Sequence, residues 1–249
     1  MAAELFDDLS DVYEAMVDWP KRLANEEPFY RELFQRTAAE KVLDVACGTG
    51  RHAAMFHSWS LGVEGADVSP AMIAAARSRF GEPEGLRWVV RGFDHPADAG
   101  GPFDAAICVG NSLSLAPDLA VVNQAIRQML SAVRPGGIVV VHGLNLWRLA
   151  DGPCVWQKCR RVALPSGESL IVKGVHRCGP RGFMDLVLTD FPGGNLRHSE
   201  SVPFLGLEAA GLGQMALQAG TTRLEFFGGY HGEPYDRQES LDLIMVAEK

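Results

Sequence analysis

The chain is predicted to fold as an α/β protein: a Rossmann-like, doubly wound parallel sheet with an antiparallel β meander inserted late in the sequence. Three observations carry that prediction. Apolar strand-like runs alternate with helical periods between residues 41 and 142, and this alternation implies a parallel sheet covered by helices on both faces. Val42-Leu43-Asp44-Val45-Ala46-Cys47-Gly48-Thr49-Gly50 is an apolar strand that runs into a glycine turn. Between Cys154 and Leu205 the helical period disappears and four β-rich runs follow one another.

Each element has its own justification. Phe6, Leu9, Val12, Tyr13, Met16 and Val17 recur at helical spacing, and Pro20 suits the first turn of a second helix. Strands are predicted near 41–46, 62–67, 86–91, 103–109 and 136–142, with helices near 51–60, 70–80 and 117–133. Pro135-Gly136-Gly137 reads as a turn that launches the fifth strand. The meander is predicted over 154–164, 168–178, 182–191 and 197–205. Its breaks carry turn residues such as Pro165-Ser166-Gly167 and Pro192-Gly193-Gly194-Asn195. A helix near 206–219 and strands near 222–228 and 241–248 close a single domain. Within it, 1–40 are N-terminal helices, 41–150 a cofactor-binding core, 151–205 an inserted β lid and 206–249 the completion of the core.

Composition narrows the partners. The 249 residues are 47% hydrophobic, enough for one sizeable core. A net charge of −8 argues against a nucleic-acid partner, which needs a basic stripe. The longest basic cluster, Lys158-Cys159-Arg160-Arg161, reads as the solvated face of a strand. No secretory leader or apolar run of membrane length is visible, so a cytoplasmic protein without a membrane partner is expected; a homo-oligomer is compatible with the sequence. The five cysteines are unpatterned. Cys47 and Cys108 read as buried small hydrophobes, and Cys154 and Cys159 lack zinc spacing.

The first strand, its turn and a second strand ending in Asp67 begin a nucleotide-binding βαβ unit. The glycines let a ligand approach the main chain, and an acid at the second strand tip can accept from ribose hydroxyls. Asp44 discriminates between cofactors. A dinucleotide lays a pyrophosphate over this turn, which a carboxylate repels. S-adenosylmethionine presents an ammonium and a sulfonium there, which a carboxylate suits. Ala53 holds the third glycine position, and no Tyr-x-x-x-Lys pair is present. S-adenosylmethionine is therefore the expected cofactor. Ligands in such sheets meet the carboxyl ends of the strands. Ala46, Gly48 and Gly50 are expected against its methionine part, Asp67 at the ribose, and Val68 and Met72 at the adenine. Met72 also reads as a core face of its helix.

VLDVACGTG, GADVSPAMIAAAR, FDAAICVGNSLSL and VRPGGIVVVHGLN stand in the order and spacing of class I S-adenosylmethionine-dependent methyltransferases. The glycine and sarcosine N-methyltransferase branch is the one the chain resembles, most strongly over residues 41–148. The resemblance implies the family's seven-stranded sheet and methyl transfer to a small-molecule acceptor. It implies that Phe93 and Asp94 after strand three reach the adenine, although relatives place the acid before the aromatic residue. It also implies that Val109 and Asn111 at the tip of strand four border the site. Tyr13 matches a family aromatic residue that closes over the cofactor, and Arg22 stands one position from the family's arginine.

Asn111, His142 and Asn145 are the candidate substrate-side residues. Asn145 is the leading one; His142 reads either as a base or hydrogen-bond partner or as a structural histidine. Arg148 reads either as an anion ligand or as a surface residue. Two departures weaken glycine as the acceptor. Leu115 stands where the branch has a histidine, and Leu144 where it has an arginine able to pair with a carboxylate. The tips of strands four and five hold Gly110-Asn111 and His142-Gly143 rather than carboxylates, so no metal is expected. The expected activity is metal-independent methyl transfer, most plausibly to an amine nitrogen. Oxygen or sulfur acceptors, a nicotinamide-dependent oxidoreductase and a non-catalytic S-adenosylmethionine-binding protein are the alternatives. The meander is expected to roof the acceptor pocket, with Trp156, Phe183 and Phe204 on its inner face and Lys158, Arg160 and Arg161 in solvent.

Overall fold

The computed structural model describes residues 10–97 and 101–249. Phe6 and Leu9 lie outside them. The N-terminal part supplies α1 (Ser10–Met16) and α2 (Trp19–Arg36), where Pro20 sits in the first turn and the Asp18 side chain caps the Lys21 amide. Then come β1 (Lys41–Val45), α3 (Arg51–His57), β2 (Gly62–Asp67), α4 (Pro70–Phe80), β3 (Leu86–Val90) and β4 (Phe103–Cys108). They are followed by α5 (Leu119–Ala132) and β5 (Val133–Leu144). The meander is β6 (Val155–Leu164), β7 (Gly167–Cys178), β8 (Arg181–Asp190) and β9 (Leu196–Leu205). The chain closes with α6 (Ala209–Gln218), β10 (Arg223–Phe227) and β11 (Asp242–Glu248).

Seven strands form one sheet in the order β10-β11-β5-β4-β1-β2-β3. β1 pairs in parallel with both β2 and β4, and β11 runs antiparallel to β5. The strand order therefore reverses between β1 and β4, and a crevice opens beyond their carboxyl ends. This is the seven-stranded doubly wound sheet expected from the sequence, and β6–β9 form the separate antiparallel sheet.

Alternation along the strands splits the core into two layers. Val42, Ile107, Val140 and Ile244 face α2, α3 and α4, meeting Tyr30, Phe34, Phe56 and Ile73. Leu43, Ala106, Val141 and Met245 face α5 and α6, meeting Ile126, Met129, Leu130 and Leu212. The sequence placed the start of β5 after Pro135-Gly136-Gly137, whereas the strand begins at Val133. A register shift against β4 between Phe103 and Ala105 absorbs these residues, and Gly136 takes φ +75°. A Cβ on Gly137 would stand 2.8 Å from the Asp104 carbonyl oxygen, so the strands close there only on glycine.

The meander has two unlike faces. Val162, Ile171, Leu186 and Leu188 pack on Val12 and Met16 of α1, while Val175 and Phe204 pack on Leu146 and Leu149 just beyond β5. The opposite face carries Trp156, which is 60% exposed and overlies Gly174, together with Phe183 stacked on His176 at 4.9 Å. The expected inner face is thus corrected. Phe204 is inside, but Trp156 and Phe183 are outside. For Trp156 the β6–β7 register shift between Trp156 and Lys158 is the cause, since one extra residue exchanges the faces, and for Phe183 it is alternation along β8, where Gly182 and not Phe183 lies opposite Phe204. No described helix is long and apolar enough to cross a membrane.

Phe56 tests the first layer. It is fully buried between Tyr30, Phe34 and Trp59, with ring centroids 5.1–5.3 Å away. Phe56→Ala is expected to cost about 3–5 kcal/mol in urea unfolding with an unchanged slope. A loss under about 1 kcal/mol would contradict the packing described.

Candidate functional site

Two adjoining cavities open at the carboxyl edge of the sheet. The first measures about 320 Å³ and is lined by Tyr13, Ala46, Gly48, Asp67, Val68, Met72, Phe93 and Asp94, together with Arg91, Gly110, Ser112 and Leu115. The second measures about 360 Å³ and is lined by Arg22, Glu26, Asn111, His142, Leu144, Lys158, Lys173 and Asp242, with Val175 and Phe204 of the meander. Tyr13, Gly110 and Leu115 border both. Both volumes lie in the range of small-molecule sites.

Asp67 ends β2, and its two carboxylate oxygens accept the amides of Gly48 and Ser69, each at 2.9 Å. These bonds fix the plane in which the carboxylate meets a ligand. Gly48 has φ +55° and Ala46 φ +56°. A non-glycine residue in this region stores strain of the kind found where backbone is shaped around a ligand. Val68 is 54% exposed over the first cavity, which suits an apolar ring surface. Asp94 lies at that end with its Oδ1 3.0 Å from His95 Nδ1.

Asp44 does not line either cavity. It is fully buried one residue before the strand end; the Ala53 amide acts on it, but neither carboxylate oxygen reaches a full hydrogen bond among the described residues. Burial pushes its carboxyl up to about 8. An orphaned buried acid behind Ala46 and Gly48 is what a cationic ligand at this turn would compensate. With the glycine cradle and the Asp67 clamp, the residues fit an adenosine carrying a cationic tail.

The N-terminal helices form one wall. Glu14 accepts from Thr49 Oγ1 and from Arg51 Nη2 at 2.6 Å, and it pairs with Arg79 at 3.2 Å. This anchors α1 to the glycine turn and brings Tyr13 over the cavity. Burial raises the Tyr13 phenol pKa, so it stays protonated. Arg22 donates to Glu26 at 2.8 Å, and His52 Nε2 lies 2.7 Å from the other Glu26 oxygen. Burial alone would raise the Glu26 pKa, but the His52 hydrogen bond and the Arg22 charge outweigh it and hold it at about 2. Burial likewise favours neutral His52.

At the β4 tip, Asn111 adopts φ +70° and its Oδ1 accepts the Leu144 amide at 3.0 Å. His142 Nδ1 accepts the Gly110 amide at 3.0 Å, and its Nε2 stands 3.3 Å from Asp242 Oδ1. The hydrogen-bond network therefore assigns the proton to Nε2. Both ring nitrogens are engaged, so His142 orders the strand tips rather than standing as an open base.

Four of the residues singled out in the sequence line neither cavity. Asn145 is fully buried and borders neither cavity. Its Nδ2 donates to the carbonyls of Arg237 and Ser240 at 3.0 and 2.9 Å, and its Oδ1 accepts from Tyr235 and from the Trp147 amide. Asn145 pins the loop before β11 and has no capacity left for a substrate. Gly50 serves packing: a Cβ there would stand 2.5 Å from Trp88. Val109 is buried behind Gly110, and Arg148 is exposed beside neither cavity.

The sequence reading missed Glu26, Lys173 and Asp242. Each sits in an element whose pattern speaks only of helix or strand, and the fold alone brings them together. Lys158 is exposed, as expected, and also borders the second cavity, donating to the Met16 carbonyl at 3.2 Å. One described group offers metal-ligand atoms, namely Cys154, His176 and Asp185 on the outer face of the meander. There Asp185 accepts from Cys154 Sγ, His176 Nδ1 and Ser201 Oγ.

Residues 42–137 match a family model described as a methyltransferase domain. Glycine N-methyltransferase of Oryctolagus cuniculus is 34% identical over 137 residues, covering 49% of this chain and 46% of that one. Glycine/sarcosine N-methyltransferase of Parasynechococcus marenigrum is 31% identical over 151 residues, covering 60% and 54%. The chain thus spans about half the length of these curated relatives. CalS10, an amino pentose methyltransferase from Micromonospora echinaspora solved with S-adenosylmethionine bound, superposes with a TM-score of 0.71 at 22% identity, over 94% of this chain and 92% of that one; this likeness concerns the fold. The glycine-turn strand, the sheet order and the family-model match over residues 42–137 support a class I S-adenosylmethionine-dependent methyltransferase.

Proposed function

We propose that this protein transfers a methyl group from S-adenosylmethionine to the nitrogen of a small amine. The observation that carries the proposal is the contact between the two cavities at Tyr13, Gly110 and Leu115. A chamber fitted to a nucleoside opens there onto a second chamber at the tips of β4 and β5. The sulfonium supplies an already activated methyl group. The protein then has to bind, align and dry the two partners.

The residues divide that work. Asp67 is assigned to the ribose, Val68, Met72, Phe93 and Asp94 to the adenine, and Asp44 with Ala46 and Gly48 to the cationic tail. Tyr13 closes the cofactor side, whereas Arg22, expected there from the sequence, borders the acceptor cavity. Asn111 and His142 fix the strand tips that border the acceptor, and the inner face of the meander roofs it. Nitrogen is favoured over oxygen because an alcohol or phenol needs a base, and the His142 acceptor nitrogen is occupied by the Gly110 amide. A neutral amine needs only alignment. The relatives named for glycine or an amino sugar point the same way. Carboxylates do not follow β4 or β5 directly, so the reaction is assigned no metal. A cytoplasmic setting agrees with five free cysteines.

Asp67→Ala is expected to weaken S-adenosylmethionine binding by roughly 1.5–3 kcal/mol in calorimetry, the scale of a hydrogen bond to a charged group. Unchanged affinity in a folded variant would remove the ribose assignment.

Asp44 gives a pH dependence. Burial holds its carboxyl near 8 in the empty protein, against an ordinary 3.8. Folding therefore favours the neutral acid, and the penalty for the carboxylate grows as pH rises from about 4 to about 8. Asp44→Asn should raise the Tm of the empty protein increasingly over that window. A cation at the turn favours the carboxylate, so binding below about pH 8 should release a proton from the wild type and not from Asp44→Asn. Calorimetry in buffers of different ionisation enthalpy measures this. Equal proton release from both would count against the assignment.

A panel of amines, phenols and thiols, read by S-adenosylhomocysteine release, tests the reaction itself. Amine turnover is expected, with glycine a poor acceptor because Leu144 offers its carboxylate no charge at the β5 tip. Binding of NADPH in preference to S-adenosylmethionine, or binding without any turnover, would refute the proposal.

A further inference from the structure

The second cavity holds more positive charge than its acids neutralise. Of its two carboxylates, Glu26 pairs with Arg22 and His52, and Asp242 stands 3.3 Å from the neutral ring of His142, so two lysines share the cavity with one unpaired acid. Asp18 is the one acid whose charge acts on Lys158, and no acid acts on Lys173. The two lysines stand directly opposite each other across β6 and β7, and both line the cavity. Lys158 Nζ donates only to the Met16 carbonyl. Lys173 makes no hydrogen bond or ion pair among the described residues, and the charges that act on it are those of Lys158 and Arg22, both repulsive. Burial and this repulsion push the Lys173 ammonium down to about 8. Lys173, partly buried and with no acid acting on it, is costly as an ammonium in the empty protein, and an anion between it and the exposed Lys158 would offset that cost.

The surroundings give the anion its place. Val175, Met184 and Phe204 make the adjoining meander surface apolar, and Leu115 and Leu144 do the same at the strand tips. The roof thus carries the lysines, while near Gly110 the cation is paired: the Arg22 guanidinium, 3.4 Å from where a Gly110 Cβ would stand, is bound to Glu26. Such a distribution orients a small molecule with one anionic end and one neutral nucleophilic end.

We infer that Lys158 and Lys173 form an anion subsite in the roof of the acceptor cavity, and that the methyl acceptor is an amine longer than glycine, whose carboxylate or phosphate group reaches past the uncharged Leu144 tip to dock there. The part concerning the acceptor rests on the methyl transfer proposed above. The anion subsite itself does not.

The chain has five lysines, Lys21, Lys41, Lys158, Lys173 and Lys249, so reductive ¹³C-dimethylation gives a spectrum that Lys173→Met and Lys158→Met can assign. The full-length protein is titrated with pH alone, with inorganic phosphate and with acetate. The Lys173 resonance is expected to titrate near 8 without an anion, and to move up by about one unit or more with the anion that fits. Phosphate alone moving it assigns a phosphate group, and acetate moving it assigns a carboxylate. A Lys173 midpoint unmoved by both, or moved no more than those of Lys21, Lys41 and Lys249, overturns the subsite. Turnover supplies the second reading. Lys173→Met should raise KM for an anionic amine about tenfold more than for a neutral amine of similar size, with a smaller effect on kcat. Lys158→Met provides the same comparison if that variant does not fold. An equal effect on both acceptors overturns the subsite while leaving methyl transfer standing. Loss of S-adenosylmethionine binding or of all turnover in the wild type would instead remove the functional proposal.

Discussion

The carboxylate of Asp67 ties together the two turns on which the site depends. By accepting the Gly48 and Ser69 amides it locks the loop after β1 to the loop after β2. The Cys47 amide reinforces the tie by donating to the Ala66 carbonyl at 2.9 Å. The loop can lie this low only because Trp88 slides beneath it. A Cβ on Gly50 or Gly65 would stand 2.5 Å from that ring. Two glycines, one tryptophan and one acid thus set the floor of the first cavity. The strain at Ala46 is held by the same arrangement.

Over this floor the N-terminal helices act as a strap fixed at two points. Glu14 binds the β1 turn through Thr49 and Arg51, and Glu26 binds α3 through His52. Between these anchors lie Tyr13 and Arg22. The first borders both cavities and the second borders the acceptor side. Because the strap is held by buried charge, its position is coupled to the ionisation of Glu26. Arg22 and His52 keep that carboxyl far below neutrality. The wall is therefore insensitive to pH over the range in which an amine gains or loses its proton.

The meander supplies the remaining wall, and its register decides which chemistry faces the acceptor. One additional residue between Trp156 and Lys158 turns the large indole outward and the ammonium inward. This inner face carries Lys158 and Lys173 beside Val175, Met184 and Phe204, so of the three aromatic residues the sequence suggested there only Phe204 remains. At the opposite edge, Asn145 spends its polar atoms on the loop before β11. That loop leads into Asp242, which faces His142. Asn145 thus shapes the acceptor side from behind.

The sequence by itself determined what depends on local pattern. Alternation of strand and helix, the glycine turn after β1 and the acid ending β2 were enough for the doubly wound sheet. They also located Ala46, Gly48, Asp67, Val68, Met72, Phe93 and Asp94 near one another, because residues that follow parallel strands must meet at one edge. The interrupted helical period likewise marked four meander strands. What the tertiary structure decided depends on contacts between distant segments. Buried Asn145 and the packing role of Gly50 become visible only beside the β11 loop and Trp88. Glu26, Lys173 and Asp242 come from a helix, an inserted strand and the last strand, and no spacing links them. A one-residue register shift is invisible to composition, yet it exchanges every side chain between the two faces of a strand. This is why the cofactor side was legible in the sequence, while the acceptor side had to await the fold.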